Sequence, residues 1–396
     1  MNIIIVSDYA HIEGGASSVA INSAIAFSKH GHNVVFFSSV SPVDANLKIN
    51  GVKVICIESS ELKTSRIRSF FTGLWNFDSA SRLNALLKEN NRSDSKVFIH
   101  SWTKSLSSSI FLALSKSKFD TTVVLHDYFS VCPNGAFFNF KKNTSCNLSP
   151  LSLSCVLSNC DSRNYFIKLW RVVRQIIFRI VFNFYSKSGG KLIFVSEFSK
   201  KIMHDFLPSK YLSKVSITPV FGLKNLSKIN TSKNNLIGFI GRLVDEKGVK
   251  FLADTLLPYA DRVIFIGGGP LEEYIRNKSQ KYTITGWLNQ EELNSVCKTL
   301  RFNIFSSEIF ETDGLVIKEI GRLGIPSIVS NVTAGSNYIN SGINGLIYKS
   351  NCVNDLKEKI KILDDNDSLN IISIGAYEYF MSEVPDDEKY IEEIIN

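Results

Sequence analysis

Short runs of β-branched residues alternate along the chain with longer stretches whose apolar positions recur at helical spacing. The runs read as strands and the longer stretches as amphipathic helices. The pattern predicts strands at 3–7, 33–39, 52–57, 97–101, 122–126 and 191–196 in the first half. In the second half it predicts them at 236–241, 263–267, 282–286, 302–306, 327–330 and 345–348. Strands separated by helices imply α/β architecture with parallel sheets, and two such series in succession imply two doubly wound, Rossmann-like domains. The polar stretch 224–235 (KNLSKINTSKNN) has a linker's composition and sets the expected boundary, with a first domain over 1–225 and a second over 226–376. The helical, acidic segment 377–396 is expected to pack back on the first domain. No repeat at solenoid periods is visible.

Composition narrows the class. At 396 residues, 44% hydrophobic and 21% charged, the chain can bury two ordinary cores. No apolar run approaches the roughly 18 to 20 residues of a membrane span. The first residues, MNIIIVSD, lack a basic segment followed by a small-residue cleavage site and read as a strand, so the protein is expected in the cytoplasm. Net charge is +8, unevenly placed: residues 1–200 hold 23 Lys and Arg against 12 Asp and Glu, the remainder 22 against 25. A basic first half suggests an anionic partner such as a phosphorylated acceptor or a lipid surface. Nucleic acid is not expected, because no helix-turn-helix, RNP or zinc-finger signature accompanies the charge.

In open parallel sheets, ligands bind beyond the carboxyl ends of the strands, so the residues following each strand are the ones to read for chemistry. The strand at 236–241 ends in Gly241-Arg242-Leu243-Val244-Asp245-Glu246-Lys247-Gly248. Arg242 offers a planar fork and Lys247 a point charge, a pairing suited to a diphosphate; two solvated surface cations are the other reading. Gly267-Gly268-Gly269-Pro270 follows the next strand, where backbone N–H groups can approach a ligand or simply make a tight turn. It lacks the GxGxxG spacing of dinucleotide sites. The most specific segment runs from Ser306 through Glu311-Thr312-Asp313-Gly314-Leu315 to Glu319. Two acceptor-only carboxylates bordering one cleft can take the hydrogens of a vicinal diol, while a helix start near Gly314 favours phosphate.

Taken together, these motifs resemble glycosyltransferase family 4, the large group of retaining GT-B enzymes. The resemblance rests on Gly241-Arg242-Leu243 with Lys247-Gly248, Gly267-Gly268-Gly269-Pro270, Ser307 with Glu311-Thr312-Asp313-Gly314-Leu315 and Glu319, Gly324-Ile325-Pro326, and Asn344-Gly345, in that order. It implies a GT-B fold with two Rossmann-like domains facing across a cleft. It also implies that Arg242 and Lys247 bind the donor diphosphate, that Glu319 holds the ribose, that Glu311 contacts the transferred sugar, and that backbone groups after Gly314, at Leu315, complete the contacts. Trp287 matches the position flanking the nucleotide base. The chain departs from the family where Asp313 replaces an aromatic, Ser306 a proline and Asn337 an acid. Asp313 would sit beside the sugar pocket and bear on donor choice.

In the first half, Gly14 and Gly15 form a turn after the opening strand that matches a cleft-facing loop of the family. His126 resembles a position that contacts the donor sugar, and Asp127 beside it would orient the ring or accept from the acceptor hydroxyl. The run from His126 to Gly135 resembles a subgroup that makes bacterial surface polysaccharides and shares the following cysteines. Cys132, Cys146, Cys155 and Cys160 fall within 29 residues. They read either as a structural site, zinc on four sulfurs, or as inert thiols. Residues 165–187 are basic and aromatic; the segment reads either as an interfacial helix at a membrane or as a core-packed helix with its basic residues outward.

The resulting expectation is a retaining, metal-independent transfer from a nucleotide-diphosphate-sugar to a glycan, most naturally lipid-linked, on the inner face of the cell membrane. A sugar-nucleotide 2-epimerase of the same architecture and a silent nucleotide-binding subunit are the competing readings. Asp365-Asn366-Asp367 spells a DxD metal motif but has no strand before it and reads as a solvated loop.

Overall fold

The computed structural model describes residues 1–57, 70–187, 189–207, 212–221 and 227–395. They form two α/β units: Met1–Ala136 with Asn147–Thr218 and Asp387–Asn396, and Phe137–Cys146 with Pro219–Asp386. The strands, in chain order, begin with β1 (Asn2–Tyr9), β2 (Asn33–Val40), β3 (Lys53–Cys56), β4 (Ser95–Ile99) and β5 (Asp120–Leu125). They continue with β6 (Phe138–Asn139), β7 (Thr144–Ser145), β8 (Lys191–Phe194), β9 (Leu212–Val215) and β10 (Leu236–Ile240). The last five are β11 (Val263–Ile266), β12 (Thr283–Ile284), β13 (Leu300–Phe305), β14 (Ser327–Ser330) and β15 (Leu346–Tyr348).

The first unit's sheet has the order β3-β2-β1-β4-β5-β8-β9 and the second's β12-β11-β10-β13-β14-β15. Every pairing in both is parallel. The order reverses between β1 and β4, and again between β10 and β13, which makes those two carboxyl ends the places where a doubly wound sheet opens for a ligand. The strands are near-continuous apolar runs because helices cover both faces. In β13 all six residues are buried, and its one cation, Arg301, is satisfied by the carbonyls of Leu363 at 2.9 Å and Asp364 at 2.8 Å.

All twelve expected strands occur. The pattern missed β9, whose four residues LSKV are too few to show a period, and the antiparallel hairpin β6–β7, with two residues per strand. That hairpin belongs to the second unit, so the expected unbroken first domain over 1–225 is interrupted at 137–146. The division between units falls after Thr218, and the expected boundary between 225 and 226 lies outside the described residues.

The helices needed below are α1 (Gly15–Lys29), α2 (Leu153–Leu157), α3 (Tyr165–Ser186), α4 (Leu315–Gly321), α5 (Asn366–Ser382) and α6 (Asp387–Ile395). The expected tail 377–396 divides between the units. Helix α5 is tied to the second, where Arg322 donates to the carbonyls of Phe380 at 3.2 Å and Val384 at 2.7 Å. Helix α6 belongs to the first. It buries Tyr390, Ile391 and Ile394, Ser216 donates to Glu393 at 3.1 Å, and the ammoniums of Lys96 and Lys214 reach the carbonyls of Ile395 and Glu393.

Candidate functional site

In the second unit, the turns after β10, β11 and β13 converge through backbone contacts. The Gly241 N–H donates to the Ile266 carbonyl at 2.9 Å, Leu243 N–H to Gly268 at 3.0 Å, and Glu308 N–H to Glu246 at 3.0 Å. This packing leaves no room for side chains on the turns. Gly267 has φ +137°, and a Cβ there would stand 2.1 Å from the Gly241 carbonyl oxygen. Gly248 has φ +69°, and its Cβ would meet the Ser306 carbonyl oxygen at 2.2 Å. Both positions demand glycine on two counts, since an L-residue disfavours that backbone region even where space exists. Ser306, the residue standing where the family has proline, donates its hydroxyl to the Lys247 carbonyl at 2.7 Å and so fixes the lysine's turn to the end of β13.

The side chains carried by these turns form one ionic group. The Lys247 ammonium pairs directly with Glu311, and the Ser307 hydroxyl donates to the same carboxylate oxygen at 2.5 Å. Burial alone would raise the Glu311 pKa. Lys247, Ser307 and the charge of Arg242 outweigh it and hold the carboxyl below its ordinary value. Arg242 is more than half exposed, with Glu246 3.9 Å away as its ion-pair partner. Two cations and one carboxylate at the end of a parallel sheet can receive a dianionic diphosphate, provided Lys247 turns from Glu311 toward it. Trp287, 69% exposed, lies by Gly268, where a Cβ would come within 2.9 Å of the indole nitrogen.

Glu319 lies on the helix that follows that group. Gly314 caps α4, Leu315 is its first residue, and Glu319 is on its fourth-to-fifth step. Burial raises the Glu319 pKa, Lys318 opposes the rise and Asp313 adds to it. Asp313, which is expected beside a sugar pocket, is tied down: it accepts from the buried Lys318 ammonium at 2.8 Å and from the Tyr338 hydroxyl at 2.8 Å. Lys318 and Tyr338 are the partners sequence reading missed; an acid and a lysine five residues apart across a helix start carried the signal. The DxD look-alike is structural, with Asp365 capping α5 by accepting from the Ser368 N–H at 2.8 Å.

In the first unit, Gly14 caps α1 in an extended conformation with φ 174°, and a Cβ there would meet nothing within 4 Å. Neither backbone nor packing requires glycine at 14, and Gly15 begins the helix. The hydroxyl of Ser17 accepts the Glu13 and Gly14 N–H groups at 2.8 and 3.1 Å, which fixes the turn. Beyond β4 and β5, His100 and His126 stack with ring centroids 5.1 Å apart, and His100 Nδ1 lies 2.9 Å from His126 Nε2. His100 therefore helps to orient His126. Burial, and then the neighbouring imidazole, push the His100 pKa well down.

Asp127 is pushed up to about 6, by burial first, against the Phe129 N–H bond at 2.9 Å and the charges of Arg174 and Lys104. Sequence reading missed Asp8, the penultimate residue of β1 at the switch point, just past the expected strand 3–7 where the strand-end filter already pointed. Asp8 is fully buried and accepts from the N–H groups of Lys104, Ser105 and Leu106 at 3.0, 2.9 and 2.9 Å. Asp127 also makes stability depend on pH. Its folded pKa lies above the unfolded value of 3.8, so its contribution is fully present below pH 3.8 and is lost as pH rises through about 6. Asp127→Asn keeps the acceptor for Phe129 and removes the titration. Its melting temperature is expected to exceed that of the parent at pH 8, by about 1–2 kcal/mol of stability, and to match it at pH 4. Thermal scans at the two pH values measure this.

The four cysteines divide between the two units. Cys132, Cys155 and Cys160 lie in the first unit and Cys146 in the second. The buried Lys168 ammonium donates to Cys160 at 3.2 Å and to Cys155 at 3.6 Å, and Asn134 bridges Cys132 at 3.1 Å and Cys160 at 3.3 Å. The Lys168 ammonium is thus the cation at two of these sulfurs. Among the described residues, no three His, Cys, Asp or Glu are grouped to hold a metal ion.

Residues 234–366 match the family Glycosyl transferases group 1. A GDP-mannose-dependent alpha-mannosyltransferase of Corynebacterium glutamicum is 33% identical over 136 residues, 33% of this chain and 32% of that protein. The O-antigen chain mannosyltransferase C of Escherichia coli is 27% identical over 175 residues, 40% of this chain and 47% of that protein. The matches thus span between a third and a half of these curated relatives. Solved structures align along the whole chain. Anabaena Alr3699/HepE in complex with UDP gives a TM-score of 0.68 at 15% identity, covering 100% of this chain and 98% of that one. TarM of S. aureus gives 0.68 at 11%, covering 100% and 99%. The fold is GT-B. In GT-B terms, the ionic group of Lys247 and Glu311 lies in the C-terminal Rossmann-like unit, within the segment that carries the family match.

Proposed function

We propose that this chain is a retaining glycosyltransferase that moves a sugar from a nucleoside-diphosphate-sugar to a hydroxyl of a lipid-linked glycan, during assembly of a bacterial surface polysaccharide. The observation that carries the reading is the Lys247–Glu311–Ser307 group, with Arg242 beside it, on glycine-forced turns inside the segment matching Glycosyl transferases group 1. The relatives support the donor class and the setting, since their names specify GDP-mannose and O-antigen.

Arg242 and Lys247 neutralise the diphosphate and stabilise it as it leaves. Glu311 accepts from hydroxyls of the sugar, and Glu319 from the ribose. The bond between the anomeric carbon and the β-phosphate oxygen breaks, the acceptor oxygen bonds that carbon on the same face, and the acceptor proton passes to the departing phosphate. His126 contacts the transferred sugar, and Asp127 orients the ring or accepts from the acceptor hydroxyl. With two cations at the diphosphate, the transfer proceeds without a divalent metal ion.

Incubation with a panel of UDP- and GDP-sugars, in EDTA, is the test. The expected result is release of nucleoside diphosphate only when a glycan acceptor is present, and a product whose anomeric configuration by NMR matches the donor. Conversion of the donor to its epimer without acceptor would establish the 2-epimerase instead. Inertness toward every donor, with no nucleotide bound, would leave the proposal without its donor site.

A further inference from the structure

Helix α3 is amphipathic in the sense opposite to that expected of a surface helix. Its cations turn inward: Lys168 and Arg174 are buried, Lys168 on the thiols of Cys155 and Cys160, and Arg174 donating to the Thr103 carbonyl at 3.1 Å over the rings of Phe129 and Trp170. Its outward face is apolar. Phe166, Leu169, Val173, Ile176, Ile180 and Phe184 are 67, 38, 47, 45, 56 and 56% exposed, at spacings of three and four residues. The stripe widens at its N-terminal end. There Phe70 stacks on Phe166 with centroids 5.9 Å apart, Phe71 is exposed beside it, and α2 packs alongside with Leu153 and Leu157 outward. An apolar face of this extent is not left in water without a partner.

Charge decides which partner. Over 147–187 the chain has six Lys and Arg and a single acid, Asp161. Asp161 is fully buried and held by Arg171 at 3.1 Å. The exposed surface of this segment therefore carries no carboxylate, while Arg163 and Lys187 lie exposed just beyond the two ends of α3. A second copy seated on the same stripe would bring cation against cation. An anionic lipid surface would instead bury the apolar residues in its acyl boundary and neutralise the cations among its headgroups. The helix cannot cross the bilayer, since Phe178 and Phe182 on its other face pack on Trp102 and Phe111 of the first unit. No described helix is long and apolar enough to do so.

We infer that the outward face of α3, with the outward leucines of α2, is a docking surface for an anionic membrane, on which the helix lies parallel to the bilayer plane. This inference stands independently of sugar transfer. It is tested by flotation of the full chain with vesicles of phosphatidylcholine containing 30% phosphatidylglycerol, against phosphatidylcholine alone. The protein is expected to float with the anionic vesicles, less so in high salt, and Ile176→Glu/Ile180→Glu to lower the bound fraction about tenfold or more. Both positions are exposed, so the variant's melting temperature and nucleotide binding stay at parent values, which separates this result from any failure of the donor site. Absence of parent binding to anionic vesicles would overturn the inference. So would a parent dimer, by light scattering, that the double variant converts to monomer, because the stripe would then belong to a second copy.

Discussion

Lys247→Ala is expected to lower turnover by about 10²- to 10³-fold at saturating donor, the loss typical when one preorganised charge at a developing anion is removed. The lysine has two tasks. Without ligand it neutralises Glu311, and with the donor it faces the departing diphosphate. Its removal leaves Glu311 desolvated with only Ser307 and the more distant Arg242 in support. The pH dependence then changes in a defined direction. In the parent, the depressed pKa of Glu311 contributes stability above its ordinary value of 4.5, lost only as pH falls through the lower folded pKa. In the variant, burial is no longer offset and the carboxyl titrates higher, so the variant gains relative stability on acidification where the parent loses it. Steady-state kinetics with the active donor, and melting curves from pH 4 to 8, measure both effects. Lys247→Arg keeps the charge and is expected to recover part of the turnover. Near-parent turnover in Lys247→Ala would remove the lysine from the site.

The second large effect is structural. Gly267→Ala places a methyl 2.1 Å from the Gly241 carbonyl oxygen, in a backbone region with φ +137°. Neither party can yield easily, because Gly241 is fixed by its N–H bond to Ile266 at 2.9 Å and both residues follow central strands. Strain and clash together cost on the order of 3 kcal/mol. For a unit of this size that corresponds to a melting temperature lower by about 6–12 °C. Because the same turn aligns the Arg242 loop, nucleotide affinity is expected to fall as well. Gly14→Ala is the control: its Cβ meets nothing, so stability is retained. Differential scanning calorimetry and nucleotide titration of both variants check this. A Gly267→Ala protein that melts with the parent would show that the turn can relax.

Most of the fold was legible because buried parallel strands write themselves as apolar runs and their ends as glycine and polar residues. The runs at 236–241 and 263–267 gave both strands and both turns directly. What escaped was encoded in contacts rather than in period. The strands of β6 and β7 are two residues each, and their allegiance to the second unit is visible only in pairings such as Asn143 with Glu308 at 2.7 Å. The Lys247–Glu311 pair joins residues 64 apart in sequence, so each was legible as a candidate but their union was not. Asp8 was overlooked because it directly follows an unremarkable expected strand, whereas its three N–H donors come from residues 96 to 98 positions away. The inward cations of α3 ran against the expectation that basic side chains face water. Lysine and arginine alternating with Ile and Phe do not reveal which face is wet when the buried partners are thiols and carbonyls supplied by other segments.

The path of the chain through the two units bears on how the protein is made. The first unit includes α6, whose Tyr390, Ile391 and Ile394 are buried and whose Glu393 is held by Ser216. Synthesis proceeds from the N-terminus, so that unit cannot close when its sheet has emerged from the ribosome. Its last helix is translated only after the whole of Pro219–Asp386. The second unit, apart from the early hairpin, is contiguous and can condense first. The nascent first unit therefore waits with the seat of α6 uncovered, and a chain truncated before α6 would release a finished second unit and an unfinished first.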